Sequence, residues 1–194
     1  MIVSAGNIAC IVLASGLSER FGEPDKLSVD LCGKPVLSHV LDTAREVGFG
    51  EIFCVSQICC VDGVTCVKND FPEYGQGHAL KLGLVAARKS GWEGCVIMLG
   101  DMPLVTPSYL EKLISKSHTN QCVVSLTGSI RQPPAIFNLT AIDLILSQEP
   151  VRGARDIFDR LNPVTLELEP DAARDVDTPA DLASVARIME ARKT

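Results

Sequence analysis

An α/β architecture, a mostly parallel sheet covered by helices on both faces, is what this sequence predicts, and three observations carry it. Apolar runs of strand length recur at residues 8–13, 51–56, 64–67 and 94–99. Between them Val36, Leu37, Val40, Leu41, Ala44 and Val47, and then Leu80, Leu84 and Ala87, recur at helical spacing. The runs 8–13 and 94–99 are almost wholly apolar rather than alternating, the mark of strands buried on both faces. Strands and helices in alternation at this interval make a parallel sheet.

Taken in order, the Ile- and Val-rich run 8–13 breaks at Ala14-Ser15-Gly16 into a loop of small, polar and charged residues that ends on Lys26. Residues 27–31 are short and mixed. Cys32-Gly33-Lys34-Pro35 reads as a turn into the first helix, which stops at Gly48 and Gly50. After the short strands 51–56 and 64–67, Gly75-Gln76-Gly77 opens a second helix. Strand 94–99 ends on Gly100-Asp101-Met102-Pro103, and Thr106 with Pro107 caps a helix carrying Leu110, Leu113 and Ile114. Residues 121–126 and 135–137 read as strands around a turn at Gly128, 141–146 and 154–161 as helices, and 164–168 as a strand. The final helix starts at Thr178-Pro179 with Asp181 in the capping-box position, and is expected to bury Leu182, Val185, Ile188 and Met189. With neither repeat, low-complexity tract nor linker, residues 1–194 read as a single domain.

Composition narrows the function. A chain of 194 residues, 46% hydrophobic and 22% charged, can bury a substantial core. A net charge of −6 argues against a broad nucleic-acid surface, so an anionic substrate needs a local basic patch. No apolar run approaches the roughly 20 residues of a membrane span, and residues 1–9 lack the form of a signal peptide. The eight cysteines (10, 32, 54, 59, 60, 66, 95 and 122) fall largely within apolar runs, as structural thiols of a reduced, cytoplasmic protein do. Cys54, Cys59, Cys60 and Cys66 cluster in sequence without a C-x-x-C pair, which speaks against zinc.

The loop after the first strand has the makings of a phosphate cradle. Gly16 and Gly22 permit positive φ, Ser15 and Ser18 add hydroxyls and allow close approach, and free N–H groups in such a loop form a nest for anionic oxygens. Arg20 contributes a guanidinium fork and Lys26 a mobile point charge. It is neither a Walker A loop, since Lys26 follows Gly22 by four residues, nor a dinucleotide fingerprint, since Ser18 stands where a second glycine belongs. In an open parallel sheet ligands sit beyond the carboxyl ends of the strands, which puts this loop and Asp101 on one edge. Asp101, Asp175 and Asp177 each have a bland use, at a turn or before a helix N-terminus. As a set they offer hard oxygens to a divalent cation.

The loop resembles the L-A-x-G-x-S-x-R-x-G-x-x-x-K signature of nucleotidyltransferases, with Leu13, Ala14, Gly16, Ser18, Arg20, Gly22 and Lys26 falling on it. The likeness is strongest to the molybdenum cofactor cytidylyl- and guanylyltransferases, and it implies a single-domain Rossmann-like nucleotidyltransferase fold. Residues 99–104 look like that family's L-G-D-x-P-L motif, and residues 175–182 like its D-I-D-T-P-x-D-L ending. The resemblance therefore implies magnesium on Asp101 and a second carboxylate, Asp177 rather than Asp175. It also implies nucleotide contacts at Leu13, Ala14, Ser15, Gly16, Ser18, Gly22, Lys26, Gly75, Gln76 and Gly77, and an acceptor segment at residues 151–156. Catalytic work would fall to Lys26, Arg20 and Asp101.

Two positions depart from the pattern. Ser15 stands where cytidylyl enzymes tend to carry Ala and guanylyl enzymes Gly, and Arg131-Gln132-Pro133-Pro134-Ala135 replaces a Gly-His-Pro segment. Ser is little larger than Ala, which favours the smaller pyrimidine. Arg131 is either a contact for an acidic pterin or a solvated turn residue. Of the histidines, His39 and His118 read as surface residues, and His78, beside the Gly-rich turn, as a candidate ligand contact. The expected reaction is transfer of a nucleoside monophosphate from CTP, or second to it GTP, to the phosphate of molybdopterin, with pyrophosphate released and a molybdenum hydroxylase receiving the product. The alternatives are transfer to a sugar or polyol phosphate and, from another class, a non-catalytic molybdenum cofactor binder.

Overall fold

The computed structural model describes residues 4–18, 20–22, 25–58, 61–147 and 161–192. Its strands are β1 (Ala9–Ala14), β2 (Asp30–Leu31), β3 (Lys34–Pro35), β4 (Glu51–Ser56), β5 (Thr65–Lys68), β6 (Gly94–Leu99), β7 (Cys122–Thr127), β8 (Ile130–Asn138) and β9 (Val164–Glu167). Its α-helices are α1 (Val36–Val47), α2 (Gly75–Lys89), α3 (Pro107–Lys116), α4 (Leu139–Leu146) and α5 (Pro179–Ala191). The expected helix over 154–161 and the acceptor segment 151–156 lie outside the described residues, save Leu161.

Seven strands form one sheet in the order β5-β4-β1-β6-β8-β7-β9. β1 runs parallel to both β4 and β6, while β8 is antiparallel to β6 and β7. The sheet is thus mostly parallel, as predicted. β1 is buried at all six positions because each face carries a helical layer. Ala9, Ile11 and Leu13 pack with Leu80, Leu84 and Ala87 of α2 and Ile142 of α4. Cys10 and Val12 pack on the other side with Val40 and Leu41 of α1 and Leu110 and Leu113 of α3. Gly83 is the close-approach point of α2, since a Cβ there would lie 2.5 Å from Ile11 Cγ2.

Three expectations needed adjustment. The strand read at 135–137 runs from Ile130 to Asn138, because the Gly128 turn, at φ +60°, makes a hairpin and pairing with β7 begins directly after it. Cys32 and Gly33, both at positive φ, close a small hairpin of β2 and β3 rather than a bare turn. In α5 only Val185 is buried. Leu182, Ile188 and Met189 are half-buried, because the helix covers a smaller cluster of Leu27, Leu31, Val36 and Val176 beyond the strand ends and not the broad face of the sheet.

The described cysteines are free, and Cys10, Cys54, Cys95 and Cys122 are buried. Burial pushes the thiols of Cys95 and Cys122 up to about 12. They remain protonated packing groups. Alkylation of the native protein should therefore modify the exposed Cys66 rapidly and these four only on unfolding, as peptide mass mapping would read; rapid modification of Cys95 in the native state would contradict the packing.

Candidate active site

Three segments converge beyond the carboxyl end of the sheet. β1 delivers residues 15–26. Gly100, directly after β6, donates its N–H to Leu13 O (2.9 Å), and a Cβ on it would lie 3.1–3.2 Å from Leu37 Cδ1, Ala14 Cβ and Leu13 O. A residue without a side chain lets Asp101 come this close to the end of β1 with no neighbour displaced. Val176 N–H in turn donates to Asp101 O (2.9 Å), which draws Asp177 to the same place.

The result is a triad of charges, Lys26 with Asp101 and Asp177, with Arg20 as a fourth at its edge. Lys26 Nζ donates to Asp101 Oδ2 and Asp177 Oδ1, each at 2.6 Å, and Arg20 Nη1 lies 3.0 Å from Asp177 Oδ2. Lys26 is only 8% exposed. Burial works against its charge, but the Asp101 charge and the hydrogen bonds to both carboxylates outweigh it and raise the ammonium above the usual lysine value. A raised lysine contributes fully below its ordinary value and loses the contribution only as pH climbs through the higher folded one. The pair is therefore intact throughout the neutral range. Asp175 is exposed and outside the triad; desolvation, then the charges of Asp177 and Asp101, raise its carboxyl.

These groups floor a cavity of about 370 Å³, lined also by Leu13, Ala14, Ser15, Gly16, Ser18, Gly75 and Gln76. The amides of Gly16 and Leu17 have no backbone acceptor among the described residues, which suits an anion nest. Ser18 is not the free donor that was expected: at φ +51° it turns its hydroxyl onto Asp25 Oδ1 (2.6 Å) and braces the loop. Gly22 and Gly77, expected nucleotide contacts, are not part of the cavity wall. Gly22 takes φ +82° in the turn closed by its N–H on Ser18 O (3.2 Å), and Gly77 is buried inside α2. His78 packs edge-on against Tyr74 (5.4 Å) and is not a lining residue. His39 bonds Leu31 O at 2.7 Å and is half-buried, while His118 is exposed. Arg131 lies on β8, away from the cavity wall.

The loop that carries Asp177 is held by the predicted capping box. Asp181 Oδ2 accepts from Thr178 N–H (2.8 Å), Thr178 Oγ1 (2.7 Å) and Asp177 N–H (3.3 Å). These bonds, the Thr178 hydroxyl first, lower the Asp181 carboxyl below its ordinary value. A depressed carboxylate stabilises fully above the unfolded value of about 3.9 and loses that contribution as pH falls through the folded one. Asp181→Ala should cost about 1 kcal/mol in urea unfolding at pH 7 and less at pH 3. An equal loss at both pH values would show that the carboxylate charge is not what the cap uses.

Among the described residues no group of three or more His, Cys, Asp or Glu side chains converges as a metal cage. Two carboxylates nevertheless suit magnesium, which is usually held by one or two carboxylates together with substrate phosphates and water. Asp101 Oδ1 is buried with no hydrogen-bond partner, an oxygen that a hard cation would satisfy. Sequence reasoning missed Asn69, buried behind Ser15 and donating to its Oγ at 2.9 Å. An Asn-Asp dipeptide ahead of Pro72 reads as a loop, and nothing in its spacing signals burial.

The sequence profile of the MobA-like NTP transferase domain matches residues 10–164. Among curated proteins, the purine catabolism protein PucB of Bacillus subtilis is 26% identical over 92% of this chain and 96% of its own. The bifunctional protein GlmU of Nitrosomonas eutropha is 34% identical over 65% of this chain but only 29% of its own length. Among solved structures, Rv0371c of Mycobacterium tuberculosis superposes with a TM-score of 0.81 at 25% identity, covering 95% of this chain and 100% of that one. Rv0371c is also known as a manganese complex.

Proposed function

This chain belongs to the MobA-like NTP transferase domain family and is a nucleotidyltransferase, and from that premise we propose that it moves a nucleoside monophosphate from CTP, in preference to GTP, to the phosphate of molybdopterin. The observation that carries the reading is the convergence of Lys26, Asp101 and Asp177 in the cavity beneath the glycine-containing loop. The acceptor phosphate is already ionised, so no general base is needed, and catalysis reduces to positioning and charge neutralisation. Lys26 leaves its carboxylates to meet the α-phosphate. Arg20, 79% exposed along its side chain, is free to swing onto the departing pyrophosphate together with the amides of Gly16 and Leu17. Asp101 and Asp177 would hold the divalent cation, magnesium in this reading, which neutralises charge on the bridging oxygens.

Molybdopterin as acceptor is supported by the motif likeness to the molybdenum cofactor branch, and a molybdenum hydroxylase in the cytoplasm is the recipient it implies. Transfer to a sugar or polyol phosphate is the second reading, because the loop signature is that of nucleotidyltransferases at large and does not by itself fix the acceptor. CTP as donor follows from Ser15, whose side chain leaves less floor space under a purine than glycine would. The test is pyrophosphate release from CTP, GTP, ATP and UTP, each with molybdopterin, a sugar phosphate or a polyol phosphate. CTP with molybdopterin should exceed GTP by about tenfold, roughly 1.4 kcal/mol, and Ser15→Gly should narrow the gap. Equal or better use of GTP overturns the base assignment, and turnover confined to a sugar or polyol phosphate overturns the acceptor.

A further inference from the structure

Asn69 stands directly after β5, is 2% exposed, and does not reach the cavity wall. Its backbone N–H and both polar atoms of its side chain are engaged. The backbone N–H donates to Ser56 O (2.9 Å), Oδ1 accepts from Phe71 N–H (3.1 Å) and Nδ2 donates to Ser15 Oγ (2.9 Å). Because a backbone N–H can only donate, Phe71 fixes which end of the Asn69 amide is oxygen, and the nitrogen must then face Ser15. A serine oxygen that accepts from an amide keeps its own hydrogen free. Ser15 makes no other side-chain hydrogen bond among the described residues and lines the cavity. Its O–H is thus left to donate to whatever lies above it.

We propose that Asn69 is a positioning residue that sets the Ser15 hydroxyl as a hydrogen-bond donor, and that the pair selects cytosine over uracil. This rests on the reading above, in which the nucleobase lies over Ser15. The two pyrimidines have nearly the same shape, so the size of the floor does not separate them. Their edges differ: N3 of cytosine accepts a hydrogen bond, whereas N3 of uracil carries a hydrogen and donates. An O–H aimed at N3 is satisfied by cytosine, whereas uracil either meets it donor against donor or takes the second lone pair of Ser15 Oγ and leaves the O–H turned into the buried floor without an acceptor. Sites built around such a polar contact reject the wrong partner strongly, because both groups are then left unpaired.

The test is equilibrium binding of CTP, UTP and GTP to the full chain in magnesium buffer without acceptor, followed by calorimetry. The unmodified protein should bind CTP about tenfold or more tightly than UTP. Asn69→Asp, read at pH 8, still accepts from Phe71 N–H but also accepts from Ser15, so the hydroxyl turns round and presents its oxygen to the cavity; the CTP-to-UTP ratio should fall to about one or invert. Asn69→Ala, which frees the hydroxyl to rotate, provides a second variant should a buried carboxylate prevent folding, and should lower the ratio severalfold. Ser15→Ala should bring it close to one. A merely structural strut would weaken both nucleotides together and leave the ratio unchanged. An unchanged ratio in every folded Asn69 variant, or equal affinities in the unmodified protein, overturns the proposal while leaving the transferase reading intact. GTP binding as tight as CTP binding is the separate result that overturns the base assignment itself.

Discussion

Asp101→Ala is expected to lower pyrophosphate release by about a thousandfold, the order of a few kcal/mol of lost charge stabilisation. The fold should survive it. The substitution removes one partner of Lys26, but Asp177 Oδ1 remains 2.6 Å from the ammonium. It also removes Asp101 Oδ1, a buried oxygen without a hydrogen-bond partner, whose desolvation costs about 1–3 kcal/mol and offsets the lost ion pair. Thermal unfolding by circular dichroism should therefore shift by only a few degrees. Wild-type turnover in this variant would remove Asp101 from the chemistry.

Lys26→Ala should abolish turnover to a similar degree and also weaken the fold. Without the ammonium, the carboxylates of Asp101 and Asp177 face one another with only the exposed Arg20 for compensation. Breaking a fully buried pair costs about 3–5 kcal/mol. Here the carboxylates are 18% and 26% exposed, and solvent screening reduces the loss to roughly 1–3 kcal/mol. The variant has a second signature. Lys26 bonds one oxygen of each carboxylate that would hold a divalent cation, Asp101 Oδ2 and Asp177 Oδ1, so its removal should tighten the binding of manganese in the absence of nucleotide, read by electron paramagnetic resonance. Asp101→Ala should change that affinity in the opposite direction. An unchanged manganese affinity in Lys26→Ala would show that the ammonium and the cation do not share these carboxylates.

Much of this was legible in the sequence, for identifiable reasons. A strand buried on both faces has no polar position, so residues 8–13 and 94–99 announce themselves, and Thr178 with Asp181 declares a helix start through side-chain chemistry alone. The arrangement of Lys26 between Asp101 and Asp177 was less accessible. The motif marks the three residues as functional but is silent on their pairing, which depends on how closely Gly100 lets two strand ends approach. Ser18 and Gly22 fit the same motif, yet one braces the loop and the other shapes its turn, because a motif records a position and neither the direction of a side chain nor the backbone conformation there. Asn69 had no signal because its role depends on Ser15, 54 residues away in sequence.

Residues 15–26 hang from β1, a strand with a parallel neighbour on each side and buried at all six positions, whereas the edge strand β5 is largely exposed. Local openings of a protein begin where contacts are few, at margins and ends. β5 should therefore open before β1 does, and the amide hydrogens of Cys10 to Leu13 should be among the last to exchange with solvent. The Asn69–Ser15 pair is not so protected, since Asn69 follows β5 directly. On the proposal that Asn69 sets the base contact, heat or denaturant would blur the choice of nucleotide before the loop on β1 lost its support, and fidelity would be the first property to melt.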